Sequence, residues 1–303
     1  MRAFTAAALQ IAPVAGPLSS EAVTANLAKC VDWLTRCVEA TGAELVVLPE
    51  TATTGFTPGC PPEELWDLVS ELPGPVIAPI QVAAAALGVH VCVGTYERGP
   101  TRGVVYNSSA LIGPEGSLLG VYRKTHPYCS ELRARGGWVT PGEEVCVVDT
   151  DLGRIGMMIC FDGDYPEVAR IQAVQGAEVI CRPSALLRSA DIWELTSRAR
   201  AYDNHVYVIG ANATGFDAGG QLYFGNSHIV TPIAHIVAKA ATHESWVCCR
   251  LDPDQALGSL TPGSSVGQGF DHLADRNLEL VRRYREDLER PAASSFPHLD
   301  ADF

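Results

Sequence analysis

Strand-like and helix-like segments alternate along most of this chain, and that alternation restricts the fold more than any other feature of the sequence. Apolar residues recur at helical spacing before Gly42, which can end the helix: Val23, Leu27, Cys30, Val31, Leu34, Cys37 and Val38. A short apolar run at 43–48 is then typical of a strand, and the same kind of alternation returns at 76–96 and 166–181. Consecutive strand-like runs near the end add an antiparallel portion: residues 227–231, 235–239 and 246–251. The pattern predicts an α/β fold in which helices cover mixed sheets.

The composition and charge of the 303 residues argue against several classes of function. No Ser/Gly-rich or charge-rich linker interrupts the alternation, which predicts a single domain over 1–303, with 282–303 as a final helix and loose tail. The net charge of −13 argues against nucleic acid and anionic membranes as partners, and no run reaches the roughly 18 apolar residues of a spanning helix. Most of the ten cysteines lie in apolar runs, without paired C-x-x-C motifs or His/Cys clusters. This favours reduced thiols in a cytoplasmic protein, with no metal and no cofactor.

One cysteine, Cys160, ends an apolar strand-like run and is followed at once by a helix start. The segment 156–167 contains this run, the cysteine, and then the tripeptide Tyr165-Pro166-Glu167 that opens the helix. A thiol on such a turn is presented as nucleophiles are in α/β enzymes, and a nearby helix N-terminus favours the thiolate. On this segment alone, a buried structural cysteine is an equally good interpretation.

Two further strand-like segments end in residues that a cysteine nucleophile needs. Residues 43–50 finish with Glu50, and residues 120–127 deliver Lys124. A carboxylate can take the thiol proton, while an ammonium group can stabilise the oxyanion that forms when sulfur attacks a carbonyl carbon. Glu50, Lys124 and Cys160, each at the end of its own predicted strand, therefore predict a cysteine hydrolase.

In these residues the sequence resembles the nitrilase superfamily of carbon–nitrogen hydrolases, whose triad is Glu, Lys and Cys in that chain order. The resemblance implies that Glu50 is the general base, Lys124 the cationic stabiliser and Cys160 the nucleophile. It also implies a four-layer α-β-β-α sandwich that forms a homodimer or a larger homo-oligomer. One departure is Ala234, in the turn after Pro232, where members usually have glycine. Other segments carry the resemblance through most of the chain: 8–10, 94–98, 106–108, 141–142, 198–204, 212–215 and 225–227.

The loop after Lys124 offers a fourth candidate, Glu131. Members of the superfamily often carry a second active-site glutamate in this loop, so the resemblance implies that Glu131 positions the substrate and assists proton transfer. Without the resemblance, Glu131 is better explained as a surface carboxylate paired with an arginine of the same loop. Glu143 and Glu144 compete for the role, although they follow Pro141-Gly142 on the way to the next strand.

The residues after the nucleophile carry the substrate information. Phe161-Asp162-Gly163-Asp164 resembles the amidase branches, because it lacks both the Trp-Glu-His of nitrilases and the arginines of D-amino-acid carbamoylases. The resemblance thus favours hydrolysis of a small neutral carboxamide, through a thioester acyl-enzyme, to a carboxylic acid and ammonia. Two alternatives remain open: a nitrilase or N-carbamoyl amide hydrolase with the same triad, and a catalytically silent subunit that only binds.

The candidate pocket residues are Phe161, Ser184 and Ala185. The two small side chains predict room for a bulky acyl group. Arg182 and Arg188, on either side of them, are expected at the surface or at an interface, although Arg188 leaves a carbamoyl-acid substrate open. The predicted partner is thus a small-molecule amide.

Overall fold

A computed structural model of the chain describes residues 1–14, 17–253 and 271–290. The strands of this part are β1 (Phe4–Gln10), β2 (Leu45–Val47), β3 (His90–Arg98), β4 (Val105–Ile112), β5 (Leu118–Arg123), β6 (Val147–Thr150), β7 (Gly153–Met157), β8 (Val179–Ser184), β9 (Tyr207–Asn212), β10 (Thr214–Phe216), β11 (Leu222–Phe224), β12 (His228–Val230), β13 (Ile236–Lys239) and β14 (Ser245–Leu251). The helices are α1 (Ser20–Thr41), α2 (Pro62–Leu68), α3 (Ala78–Leu87), α4 (Pro166–Val174), α5 (Ala190–Asn204), α6 (Leu278–Arg283) and α7 (Arg285–Glu289), with 3₁₀ turns at Arg133–Arg135 and Cys160–Asp164.

The described strands form two six-stranded mixed sheets and a small hairpin. The order is β14-β1-β2-β3-β4-β5 in the first sheet and β13-β12-β9-β8-β7-β6 in the second, while β10 pairs with β11. Strands β1, β2 and β3 run parallel to one another, as do β7, β8 and β9. Each sheet therefore has a parallel centre, and functional side chains in such sheets gather at the carboxyl ends of the strands.

The strand side chains alternate between two cores, which gives the molecule its layers. In β1, Leu9 packs with α1 and α3, whereas Phe4 packs against the second sheet. In β8, Cys181 faces the first sheet and Ile180 faces α4 and α5. Helices thus cover the outer face of each sheet, and the inner faces pack on each other. The predicted α-β-β-α sandwich is confirmed, and truncating a fully buried side chain of its central core, such as Leu45, is expected to cost about 2–5 kcal/mol.

Local sequence signals set the ends of the predicted helices. Helix α1 begins after Ser19, whose side chain accepts a hydrogen bond from the Ala22 N–H, and it ends at Gly42, which has a left-handed φ of 63°. Helix α5 begins after Ser189, whose side chain accepts hydrogen bonds from the Asp191 and Ile192 N–H groups. Helix α2 was not predicted, because it has only seven residues and buries only Leu65, too little for a helical period to show.

The turn with the departure from the family pattern forms a hairpin whose register shifts between Ile229 and Val230. Strands β12 and β13 pair antiparallel, and the Thr231 N–H donates to the His235 carbonyl across the turn. Ala234 adopts a left-handed φ of 63°, the conformation that a glycine would adopt without strain.

The described C-terminal part contains the short helices α6 and α7, which begin four residues before the predicted helix and are divided at Tyr284. Most of the predicted tail, residues 291–303, lies outside the described residues. Among the described residues, no helix combines the length and apolar composition needed to cross a bilayer.

Candidate active site

The four candidate catalytic residues meet where the carboxyl ends of strands from both sheets come together. Glu50 follows β2 and Lys124 follows β5 in the first sheet, while Cys160 follows β7 in the second. Glu131 belongs to the loop after Lys124, where a turn in which the Tyr128 carbonyl accepts from the Glu131 N–H directs the chain inward. The exposed fraction is 2% for Glu50, 0% for Lys124 and Glu131, and 7% for Cys160, so the group forms the floor of a closed site.

Lys124 lies between two carboxylates. Its Nζ is 2.8 Å from Glu50 Oε1 and forms a second short ion pair with Glu131 Oε1. Asn107 Nδ2 donates to both carboxylates, at 2.7 Å to Glu50 Oε1 and 3.2 Å to Glu131 Oε2. The Ala185 N–H holds the other Glu50 oxygen at 2.7 Å, and the Tyr128 N–H donates to Glu131 at 2.8 Å. Each carboxylate is therefore fixed by several donors.

Burial and charge act in opposite directions on the Lys124 pKa. Burial alone would lower it, but the negative charges of Glu131 and Glu50 outweigh burial, so the pKa of Lys124 is raised. The ammonium group stays charged in the buried site. A fixed positive charge in such a place can stabilise an oxyanion without solvent reorganisation.

Cys160 occupies a strained position on the 3₁₀ turn after β7. Its φ is 45°, a left-handed value that is rare for a residue with a side chain. Burial, and next the charge of Glu50, raise the pKa of the Cys160 thiol, while Lys124, Arg182 and the Ala185 N–H act to lower it. The buried thiol therefore needs a base in order to react. The charge of Glu50 already affects the thiol pKa, so this carboxylate is the candidate base.

Asp162 ties the cysteine turn to the lysine loop. Its Oδ2 accepts from the Ile159 N–H at 2.8 Å and from the Tyr122 hydroxyl at 2.8 Å, and its Oδ1 accepts from the His126 N–H at 2.9 Å. Because Tyr122 and His126 flank Lys124 in the first sheet, this carboxylate sets the distance between cysteine and lysine across the two sheets.

The cavity above Cys160 has a volume of about 40 Å³. It is mostly apolar and is lined by Phe56, Tyr128, Cys160, Phe161, Ala185, Leu186, Leu187 and Arg188. The candidates Phe161 and Ala185 thus line it. Ser184 does not: it is fully buried, and its hydroxyl donates to the Arg182 carbonyl at 3.3 Å. The small cavity does not match the expectation of room for a bulky acyl group.

The two arginines near the site differ in burial. Arg188 is half-buried at the cavity, 2.7 Å from an oxygen of Asp164 and 5.1 Å from the Phe161 ring centre. For Arg182 the predicted surface position is wrong, because its side chain is fully buried behind Cys160. Hydrogen bonds to the Cys160 carbonyl, Thr196 and Ser197 replace the water that the guanidinium loses.

The competing glutamates lie elsewhere. Glu143 and Glu144 line a separate exposed groove with Arg123, and Glu131 is not paired with the arginines of its loop, since Arg133 pairs with Glu63. The roles of Asn107 and Asp162 were missed from sequence. Asp162 carries a usable signal, because an acid two residues after a cysteine can accept from the N–H groups of the turn.

The comparisons with known proteins agree with this geometry. A sequence model of the family described as Carbon-nitrogen hydrolase matches residues 5–253. The chain belongs to this family. Among its relatives, the omega-amidase NIT2 of Homo sapiens is 30% identical over 218 residues, which cover 70% of this chain and 77% of that protein. A probable nitrilase of Schizosaccharomyces pombe is 30% identical over 235 residues, covering 76% and 84%. The predicted nitrilase superfamily is confirmed.

A solved structure extends the family match to the fold. An amidase from Nesterenkonia sp. has a TM-score of 0.74 to this chain at 22% identity, and the match covers 93% of this chain and 96% of that one. The fold of this chain is thus shared with that amidase.

Proposed function

We propose that this protein is a cysteine-dependent amidase that hydrolyses a small neutral carboxamide to a carboxylic acid and ammonia. The observation that carries the proposal is the position of Lys124, which lies between the carboxylates of Glu50 and Glu131, with the Cys160 thiol on the facing turn. The arrangement supplies a base, a fixed cation and a nucleophile in one buried place.

The reaction has two halves. In the first, Glu50 takes the Cys160 proton while sulfur attacks the amide carbon, and Lys124 and the Phe161 N–H stabilise the oxyanion. The intermediate collapses, protonated Glu50 gives its proton to the leaving nitrogen, and ammonia departs from a thioester. In the second, Glu50 takes a proton from water and the hydroxide equivalent attacks the thioester. The C–S bond then breaks, protonated Glu50 returns its proton to the Cys160 sulfur, and the acid leaves. Glu131 holds Lys124 and the loop at Tyr128, so it keeps the cation in place during both halves.

The cavity supports a small acyl group. About 40 Å³ above Cys160 holds few heavy atoms, and apolar walls such as Phe56 and Leu186 suit a short aliphatic chain. Structures of the Nesterenkonia amidase are consistent with this, since one holds the acetamide moiety of fluoroacetamide on the active-site cysteine and another holds butyramide.

A second candidate substrate is an amide with a carboxylate at the far end of its acyl chain. Arg188 favours it, because its guanidinium is the one charged group among the described residues that line the cavity. Asp164 already binds this guanidinium, so a substrate carboxylate would have to compete with Asp164 for it. The relatives named omega-amidase point in the same direction.

Ammonia release tests both candidates. Wild type, Cys160→Ala and Arg188→Met are assayed with butyramide, succinamate, butyronitrile and an N-carbamoyl amino acid. The matched control is Arg250→Met, because Arg250 is an exposed arginine of β14. Butyramide as the best substrate, with an inactive Cys160→Ala, supports the neutral amidase.

Other results separate the alternatives. Succinamate as the best substrate, with a preference lost only in Arg188→Met, supports the second candidate. If the nitrile or the carbamoyl compound leads, the triad stands and the amidase proposal fails. Binding of an amide without turnover by the wild type would instead support a silent binding subunit.

A further inference from the structure

The Arg182 guanidinium is an isolated positive charge in the interior of the second sheet. Its side chain is fully buried at the end of β8, and no carboxylate oxygen of the described residues lies within 4 Å of its nitrogens. Burial lowers the pKa of Arg182 to about 10, with charges such as those of Asp164 and Asp162 opposing this only in part. Burying a cation without an ion-pair partner costs folding free energy, so packing alone does not explain why an arginine occupies this position.

Two of its four hydrogen bonds go to the peptide that links Cys160 to Phe161. Both Nε and Nη2 donate to the Cys160 carbonyl oxygen, at 3.1 and 2.7 Å. The remaining nitrogen, Nη1, donates to Thr196 Oγ1 at 2.9 Å and to Ser197 Oγ at 2.8 Å, and the guanidinium stacks 4.6 Å from the Trp193 ring centre. These contacts hold the planar guanidinium in one orientation, with two of its N–H groups on the Cys160 carbonyl oxygen.

The same peptide carries the Phe161 N–H. In a planar trans peptide the C=O and N–H bonds point in opposite directions, so a cation that fixes the Cys160 oxygen also fixes the direction of the Phe161 hydrogen. A positive charge on the oxygen side also polarises the amide and makes its N–H a stronger donor. Cys160 has a strained φ of 45°, so this peptide would otherwise be free to relax.

Gly163 provides the space that this contact needs. A Cβ at position 163 would lie 2.1 Å from the Arg182 Cζ and 2.1 Å from its Nη2. Any larger residue at position 163 must therefore push the guanidinium away from the Cys160 carbonyl. Arg182 and Gly163 form a matched pair in this chain.

We propose that Arg182 is a positioning residue that locks and polarises the Cys160–Phe161 peptide, so that the Phe161 N–H is aimed at the oxyanion. The inference rests on the proposed function, in which Cys160 is the nucleophile and the oxyanion forms beside it. In this role, Arg182 acts on the carbonyl side of the peptide through hydrogen bonds and charge, and it does not contact the substrate.

The test measures oxyanion stabilisation separately from thiol reactivity in Arg182→Met, Arg182→Lys and Gly163→Ala. Butyraldehyde is the oxyanion probe: the Cys160 sulfur bonds to its carbonyl carbon, and the thiol proton leaves to Glu50 as the carbonyl oxygen becomes anionic. Methyl methanethiosulfonate is the control probe, because it modifies the thiol without forming an oxyanion. Peptide mass spectrometry separates modification of Cys160 from that of more accessible cysteines, such as Cys129 and Cys248.

We expect Arg182→Met to lower kcat for butyramide by about 10- to 100-fold, less than the 10²–10³ typical of losing an oxyanion donor itself. The butyraldehyde inhibition constant should rise by a similar factor, while KM for butyramide changes little. Arg182→Lys should lower kcat less than Arg182→Met, because an ammonium group keeps the positive charge but not the paired N–H donors of the guanidinium. Gly163→Ala should show the same pattern with the arginine still present, and the double variant Gly163→Ala/Arg182→Met should be no worse than Arg182→Met.

Two results would overturn the inference. One is a folded Arg182→Met or Gly163→Ala protein with wild-type kcat and wild-type butyraldehyde inhibition. The other is a loss of methyl methanethiosulfonate reactivity as large as the loss of kcat, which would place the effect on the thiol. Failure of the proposed function looks different: modifying Cys160 would then leave wild-type activity intact.

Discussion

Two buried cations act on the Cys160 turn, and their surroundings are opposite. Lys124 of the first sheet lies between Glu50 and Glu131, and its pKa is raised; Arg182 of the second sheet binds neutral oxygens, and its pKa is lowered by burial. The first charge is compensated and acts on the Cys160 thiol. The second is uncompensated and faces the back of a peptide.

The surroundings of each cation match the role proposed for it. In the proposed reaction, Lys124 must stay protonated beside groups that exchange protons, and its two carboxylates favour the protonated form. Arginine keeps its proton even when burial disfavours the charge, so Arg182 needs no carboxylate. A carboxylate beside Arg182 would weaken the field that reaches the Cys160 peptide.

The largest effect is expected from Lys124→Met. Removing the ammonium leaves Glu50 and Glu131 as unpaired buried carboxylates, which should lower the free energy of unfolding by about 3–5 kcal/mol. Turnover should fall by at least about 10²–10³-fold. Urea denaturation and ammonia release measure the two effects.

The control for Lys124→Met is Lys239→Met, which removes a partly exposed ion pair with Glu194 and should change stability by about 1 kcal/mol or less. The double variant Lys124→Met/Glu131→Gln should regain stability without activity. Near-native turnover of Lys124→Met would refute the role of the compensated cation.

Glu131→Gln should have the next largest effect. The amide keeps the shape of the carboxylate but removes one of the two charges that hold Lys124, so we expect kcat to fall by about 10²-fold. Glu97→Gln is the matched control, because Glu97 is an equally buried glutamate of the first sheet that pairs with Arg123 outside the site. Equal losses of kcat in both variants would show that Glu131 has only a structural role.

The sequence predicted the compensated cation far better than the uncompensated one. Glu50, Lys124 and Cys160 each follow an apolar strand, and strand ends are readable because burial leaves a periodic trace in the sequence. Glu131 needed the family resemblance, since a loop has no such period. The environment of Arg182 could not be predicted, because arginine is rarely buried without a partner and the space beside it depends on Gly163, which is distant in sequence.

A smaller, pH-dependent effect tests the surroundings of Arg182. The His228 ring packs against Trp193. Burial lowers the pKa of His228 to about 3, and the charges of Arg182 and Lys239 act in the same direction. The hydrogen bond with the Asn226 carbonyl opposes this lowering only in part. The unfolded imidazole binds a proton below about pH 6.5, while the native one does not, so stability is lost as the pH falls from about 6.5 toward 3.

The expected slope from His228 is about 1.4 kcal/mol per pH unit in that window. Unfolding of wild type and His228→Gln in urea at several pH values measures it as a difference between the two proteins. The variant should lose this part of the slope, whereas His243→Gln, at an exposed position, should keep it. Identical slopes in wild type and His228→Gln would mean that the native His228 is protonated beside Arg182.

The smallest effect concerns backbone strain at Ala234, in the turn between β12 and β13. Ala234 has a left-handed φ of 63°, and Cys160, His205 and Asn226 also have left-handed values in turns of the second sheet. The Ala234 carbonyl accepts from the Arg198 Nε at 2.9 Å, whereas the Cys160 carbonyl accepts from the buried Arg182. Ala234→Gly should relieve about 1 kcal/mol of strain, offset in part by the greater freedom of glycine in the unfolded chain, for a net gain of about 0.5 kcal/mol and an unchanged kcat. Ala238→Gly, in the adjoining strand β13, should instead destabilise by about 0.5–1 kcal/mol. If Ala234→Gly lowers stability as Ala238→Gly does, the left-handed conformation of Ala234 stores no strain in this hairpin.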